Sequence, residues 1–146
     1  MRVALLAKVR RDCDQCDVDL QLRMLRSFAD VHDWLVTREY VDTAGGEFPG
    51  RGTNRMMVDA SKNWFDAVLV ASLEGYGGLK SAFVRIVVDR LAKHRVSLVC
   101  AHQEGGDSSL RAKVVLRVES KVVELGLSIL DRPWSERASS RVRRWF

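Results

Sequence analysis

The chain has 146 residues, 47% of them hydrophobic and 29% charged, with a formal net charge of +5. That length suits one domain around one core, no apolar run reaches the ~18 residues a membrane-spanning helix needs, and the N-terminus lacks the basic, apolar and small-residue layout of a secretion signal. The sequence therefore reads as a cytoplasmic protein whose Cys13, Cys16 and Cys100 stay reduced, and its basic balance suits a polyanion such as nucleic acid as well as it suits plain solubility.

Residues 2–9 form a continuous apolar run, the pattern of a buried parallel strand. Asp17 is placed to cap a following helix, along which Leu20, Met24, Leu25 and Phe28 recur at helical spacing. Residues 34–41 are rich in β-branched and aromatic side chains and read as a second strand. Gly45, Gly46, Pro49, Gly50 and Gly52 mark a loop. Asn54 is placed to cap a short helix through Lys62, with Met56, Met57 and Ala60 as its apolar side. A third strand follows at 65–73, then a second glycine-rich loop with Gly75, Gly77 and Gly78. Residues 79–94 are amphipathic, with Ala82, Phe83, Ile86, Val87 and Leu91 as the expected buried stripe, and 96–101 reads as a fourth strand.

After Gly105 and Gly106, the spacing of Leu110, Val114, Val118, Val122, Leu125 and Ile129 predicts a last helix over 109–130, begun by Ser108 or Ser109. Gly126 and the valines lower helix propensity, so a pair of strands is the alternative there. Val115, Val123, Leu127 and Leu130 add a second apolar stripe, which a homodimer or the chain's own sheet would bury. Pro133 ends the element, and 131–146 reads as a basic tail carrying Arg132, Arg137, Arg141, Arg143 and Arg144. The expected fold is α/β: one domain over 1–130, a mainly parallel sheet of four or five strands with helices on both faces and a C-terminal helix.

The order of motifs resembles the N-terminal catalytic domain of serine recombinases, the resolvases and invertases. The segment Ala7-Lys8-Val9-Arg10 stands where that family has Ala-Arg-Val-Ser. Gln21, Leu22, Leu25, Arg26 and Ala29 match its first-helix pattern, and Trp34, Glu39, Tyr40 and Asp42 its second strand. Arg51 and Met56 hold the places after the glycine loop, and 65–70 and 96–99 resemble the third and fourth strands. The resemblance covers about residues 1–110 and implies a domain that breaks DNA by attack of a serine hydroxyl on phosphorus.

The departures fall on the chemistry. Arg10 stands at the nucleophile's place and Lys8 at the preceding arginine's. The family's Asp-Arg-Leu-x-Arg reads Glu74-Gly75-Tyr76-Gly77-Gly78 here, so both arginines are lost, at Gly75 and Gly78. A guanidinium stays protonated and cannot attack, and losing one charge-stabilising group costs on the order of 10²–10³ in rate. Catalytic residues are thus expected to be none, with Lys8, Arg10, Glu74, Gly75 and Gly78 as degenerate positions. Cys13 sits among Asp12, Asp14 and Asp17, which raise a thiol's pKa, and Ser61 and Ser72 lack an evident base. Cys13 and Cys16 lack the second ligand pair of a zinc site, and no metal or cofactor is expected. Arg51 is read either as a phosphate contact or as the ion-pair partner of Asp42.

The expected function is that of an inactive serine-recombinase-like protein in a DNA recombination or mobile-element setting. It would act by homodimerisation through 109–130 and by DNA or protein contacts, with Lys8, Arg10, Arg51, Arg141, Arg143 and Arg144 contacting phosphate. In the resembled family a further domain reads DNA sequence, and this chain stops soon after the last predicted helix, so autonomous sequence recognition is not expected. The alternatives are a protein-interaction module without nucleic acid and an active recombinase with rearranged residues.

Overall fold

Val3, Ala4, Leu5, Leu6 and Ala7 are all buried, and this unbroken apolar run becomes β1 (Arg2–Lys8), a strand covered on both faces. The computed structural model describes residues 1–8, 15–42, 50–73, 76–103, 110–118 and 121–137. In chain order β1 is followed by α1 (Gln15–Val31), β2 (Leu35–Asp42), α2 (Arg51–Ala60), β3 (Ala67–Val70), α3 (Ala82–Lys93) and β4 (Ser97–Gln103). Then come β5 (Leu110–Val118), β6 (Lys121–Gly126), a 3-10 turn (Leu127–Asp131) and the short α4 (Trp134–Arg137).

The strands form one sheet of order β2-β1-β3-β4-β5-β6. The first four run parallel, and β5 and β6 are antiparallel additions. The α/β fold with helices on both faces is as expected, with six strands rather than four or five. One core lies under α2 and α3 and holds Leu6, Tyr40, Met56, Phe65, Phe83 and Leu91. The other, under α1 and the 3-10 turn, holds Leu5, Leu22, Leu25, Phe28, Val114 and Ile129.

The predicted helix over 109–130 is corrected: those residues supply β5 and β6, the strand alternative. Their valines lose side-chain freedom in a helix and fit a pleated surface instead. Val114 and Leu116 face the core under α1 and Val115 faces the other, the period-2 alternation of a strand buried on both faces. In the described part of the predicted tail, Arg137 donates to the carbonyls of Leu130 and Arg132 and to the Ser97 hydroxyl of β4, and lies 5.5 Å from the Trp134 ring centre, so Arg137 is held against the sheet.

Smaller shifts follow from capping. Ser81 accepts from the Val84 N–H and starts α3, and Val84 and Val88 join its buried stripe in place of Ala82, which is exposed, and Ile86, which is 48% exposed. Leu20 is likewise exposed on α1, where Val18, Leu22, Leu25, Phe28 and Ala29 are buried. Helix α2 begins at Arg51 behind Gly50, three residues before the predicted Asn54 cap.

The register between β1 and β2 skips one residue: Val3 pairs with Val36, but Ala4 pairs with Arg38. Thr37 is the extra residue, a bulge whose hydroxyl bonds the carbonyls of Val3 and Trp64. A one-residue slip exchanges the two faces of a strand. Val36 therefore packs under α1, while Tyr40 packs under α2. The bulge sets up the site described next.

Candidate functional site

In an open parallel sheet, ligands bind beyond the carboxyl ends of the strands, where the strand order reverses. Here the order 2-1-3-4 reverses between β1 and β3. Lys8 ends β1, Asp42 ends β2 beside it in register, and Leu73 and Tyr76 follow β3.

Lys8 is held by its main chain. Gln21 of α1 accepts from the Lys8 N–H at 3.2 Å and donates to the Lys8 carbonyl at 2.8 Å. The side chain of Lys8 lies with its Nζ 4.8 Å from the centre of the Tyr76 ring. Helix α1 is tied to β2 by Arg26, whose Nε and terminal nitrogen donate to both Glu39 oxygens at 2.6 Å. Gln21, Arg26 and Glu39, which the family resemblance singled out, therefore brace the strand ends that carry the site.

Asp42 is buried, and its carboxylate faces the start of α2. It accepts from the Thr53 N–H at 2.9 Å and from the Thr53 hydroxyl in a short hydrogen bond. Gly50, the residue before α2, offers no side chain to cap the helix, so Asp42 supplies the cap from β2. Two glycines make room for it. A Cβ on Gly50 would lie 2.5 Å from Asp42 Oδ1, and one on Gly52 would lie 2.5 Å from the Val41 carbonyl. Part of the glycine loop is therefore a close-packing device.

Thr53 was not singled out by sequence reasoning, although a threonine two residues after Arg51 is a fair signal for a first-turn hydroxyl. Its bonds occupy Asp42, the partner that the ion-pair reading gave to Arg51. Arg51 is exposed at the first turn of α2, and its side chain has no hydrogen bond or ion pair among the described residues.

Tyr76 is the second residue sequence reasoning passed over. Its hydroxyl is buried without a hydrogen-bond partner among the described residues. Burial first, and the Asp42 charge second, push its pKa above the ordinary phenol range, so it stays neutral. Its ring stacks on Phe83 at 5.3 Å. Tyr76 is thus a wall of the crevice, with no hydroxyl offered to a phosphate. The segment after it is less floppy than its glycines suggest. Gly78 donates to the Leu73 carbonyl, Ser81 N–H donates to the Gly78 carbonyl, and the Ser81 hydroxyl donates to the Tyr76 carbonyl. Gly77 and Gly78 hold φ of +91° and +86°, where a side chain is strained.

Of the predicted phosphate contacts, Lys8 and Arg51 stand at the carboxyl end of the sheet. Arg10, Glu74, Gly75, Arg141, Arg143, Arg144 and Cys13 lie outside the described residues. Ser61 ends α2 and donates to the Val58 carbonyl, and Ser72 is exposed just beyond β3. Cys100 is buried, and burial with the nearby Glu124 pushes its thiol up to about 11.

The family model described as "Resolvase, N terminal domain" matches residues 8–132. The chain belongs to the resolvase N-terminal domain family. Among solved structures, this resolvase domain is similar to the N-terminal catalytic domain of TP901-1 integrase, with 24% identity, a TM-score of 0.55, and coverage of 68% of this chain and 76% of that one. It is similar to a resolvase family site-specific recombinase from Streptococcus pneumoniae, at 24% identity and a TM-score of 0.56, covering 68% and 71% of the two chains. It also resembles the catalytic domain of ISC1926 TnpA, an IS607-like serine recombinase, at 18% identity and a TM-score of 0.58, covering 67% and 68%. These likenesses establish the shared fold. No match was found among curated proteins. No helix among the described residues is long and apolar enough to cross a membrane.

Proposed function

We infer that this resolvase domain binds DNA through its strand-end crevice without cutting it, as an inactive serine-recombinase-like protein in a recombination or mobile-element setting. The observation that supports the reading is the Arg51 guanidinium, exposed and without an ion pair among the described residues, at the carboxyl end of the sheet, where the Thr53 and Tyr76 hydroxyls are withdrawn. Thr53 is bonded to Asp42, and the Tyr76 hydroxyl is buried. Arg10 occupies the place that resemblance gives the nucleophile, and Lys8 adds a cation at the end of β1. Cations at that place attract phosphate, and with no deprotonable group at position 10 the attack step has no agent.

Arg10 and the tail arginines Arg141, Arg143 and Arg144 belong to the same proposed contact set. Homodimerisation remains part of the reading, on a surface other than a C-terminal helix, since 110–118 and 121–126 are strands. A cytoplasmic place of action fits a DNA partner.

The test is fluorescence anisotropy on a labelled duplex at about 50 mM and about 200 mM salt. Wild-type protein binds, and binding weakens steeply with salt. Lys8→Gln with Arg51→Gln weakens binding by about one to two orders of magnitude at the lower salt. Absence of wild-type binding at low salt overturns the DNA reading in favour of a protein partner.

A further inference from the structure

Helix α2 carries a second, unassigned group of cations. Its buried side consists of Gly52, Thr53, Met56, Met57, Asp59 and Ala60. Its outer side shows Arg51, Asn54, Arg55 and Val58, followed by Lys62 just past the helix end, all exposed. Arg51 and Arg55 are one turn apart, about 6 Å of helix rise, close to two base-pair rises along the duplex axis at about 3.4 Å each.

The bulge at Thr37 adds a cation from a different element. It turns Arg38 to the α2 side of the sheet, where its guanidinium lies 4.2 Å from the centre of the Trp64 ring. Lys62 reaches the same ring at 4.6 Å. An aromatic ring that holds two cationic heads in place lowers the entropy lost when they engage an anion.

Among the described residues the neighbouring acids take up one of these three cations, Lys62, and leave Arg38 and Arg55. Asp59 is the carboxylate that faces the group; it is buried, accepts from the Tyr40 hydroxyl at 2.8 Å and pairs with Lys62 at 3.1 Å. Glu39 is taken by Arg26, and Asp66 by Arg2. Arg38 and Arg55 both act electrostatically on the Tyr40 hydroxyl, whose pKa burial and the Asp59 hydrogen bond raise. Neither side chain has a hydrogen bond or ion pair to a carboxylate among the described residues.

We propose that Arg38, Arg55 and Lys62, ordered around Trp64, form a phosphodiester-backbone track that extends duplex DNA from Arg51 along the outer face of α2. The track rests on the DNA-binding reading above and adds to it a place and direction of approach. Its contacts go to phosphate, so they position the duplex and carry no sequence preference.

The experiment is duplex binding as a function of salt for three full-length proteins. These are the wild type, the triple variant Arg38→Gln, Arg55→Gln and Lys62→Gln, and a charge-matched control. The control replaces Arg85, Arg90 and Lys93, exposed on α3, by Gln. Each lost phosphate contact lowers the slope of log K against log salt by about 0.9. The track predicts a slope lower by about 2–3 for the triple variant and by under about 1 for the control. Near-ultraviolet circular dichroism on each protein checks that Trp64 keeps its packing; if the triple variant fails it, Arg55→Gln alone, whose side chain does not touch Trp64, is used and is expected to lower the slope by about 0.9. Equal slopes for track variant and wild type, or equal losses in track variant and control, overturn the track while leaving DNA binding intact. A wild type that does not bind duplex overturns the DNA reading itself, and the track with it.

Discussion

Asp42 and Thr53 form the tightest polar contact of the site, and its strength comes from burial. The buried carboxylate accepts two hydrogen bonds from one residue. Thr53→Val preserves shape and removes one of them. The expected loss is about 1–3 kcal/mol of unfolding free energy in urea titration. Unchanged stability would mean that the hydroxyl does not support the carboxylate. Asp59 gives a pH prediction. Burial pushes its pKa up, but hydrogen bonds from Tyr40 and Lys62 and the charges of Lys62 and Arg55 more than offset that, so the folded value lies below the ordinary one. A depressed carboxylate contributes stability that is present above its unfolded pKa of about 4 and is lost as pH falls toward the folded value. Asp59→Asn should therefore lower the melting temperature near pH 7 and flatten its decline below about pH 4. A parallel decline in both proteins would contradict this. Cys100 offers a simpler check: with Cys13 and Cys16 changed to Ser, the native protein should leave a disulfide reagent unreacted at pH 8 and react fully once unfolded.

At the scale of elements, apolar runs made β1, β3 and β4 legible, because a buried parallel strand writes its burial on every residue. Helices α1 and α3 were legible from period, with Leu20 and Ile86 misplaced because a stripe also depends on where the cap starts the helix. The 110–126 region was misread as one helix because its valines fit a four-residue spacing as well as a two-residue one. Of the site, Lys8 and Arg51 were found because resemblance named their places. The Asp42–Thr53 contact was not, since it joins two elements and depends on the Thr37 bulge, which leaves no mark in composition. That bulge is testable. Deleting Thr37 should turn Arg38, Tyr40 and Asp42 toward α1. The expected result is loss of cooperative unfolding by circular dichroism, whereas Thr37→Val keeps the bulge and folds. A stable deletion variant that still binds DNA would show that the face exchange does not matter.

For the whole molecule, six described strands with helices on both faces form the platform, and Lys8 and Gly78, which depart from the resembled family pattern, follow or end strands at its carboxyl end. Lys8, Asp42, Arg51 and Tyr76 lie at that end, and Lys8 and Arg51 are the cations proposed to hold an anion. The proposed function requires that they hold DNA and leave it whole. The most direct measurement is incubation of the full chain with supercoiled plasmid, split between a native gel and a gel run after denaturant and protease. A retarded complex is expected on the first and fully supercoiled plasmid on the second. Nicked or linear plasmid, or a protein–DNA adduct that survives denaturant, would contradict the proposed function. If that product disappeared with Ser72→Ala, the exposed hydroxyl beyond β3 would be the nucleophile.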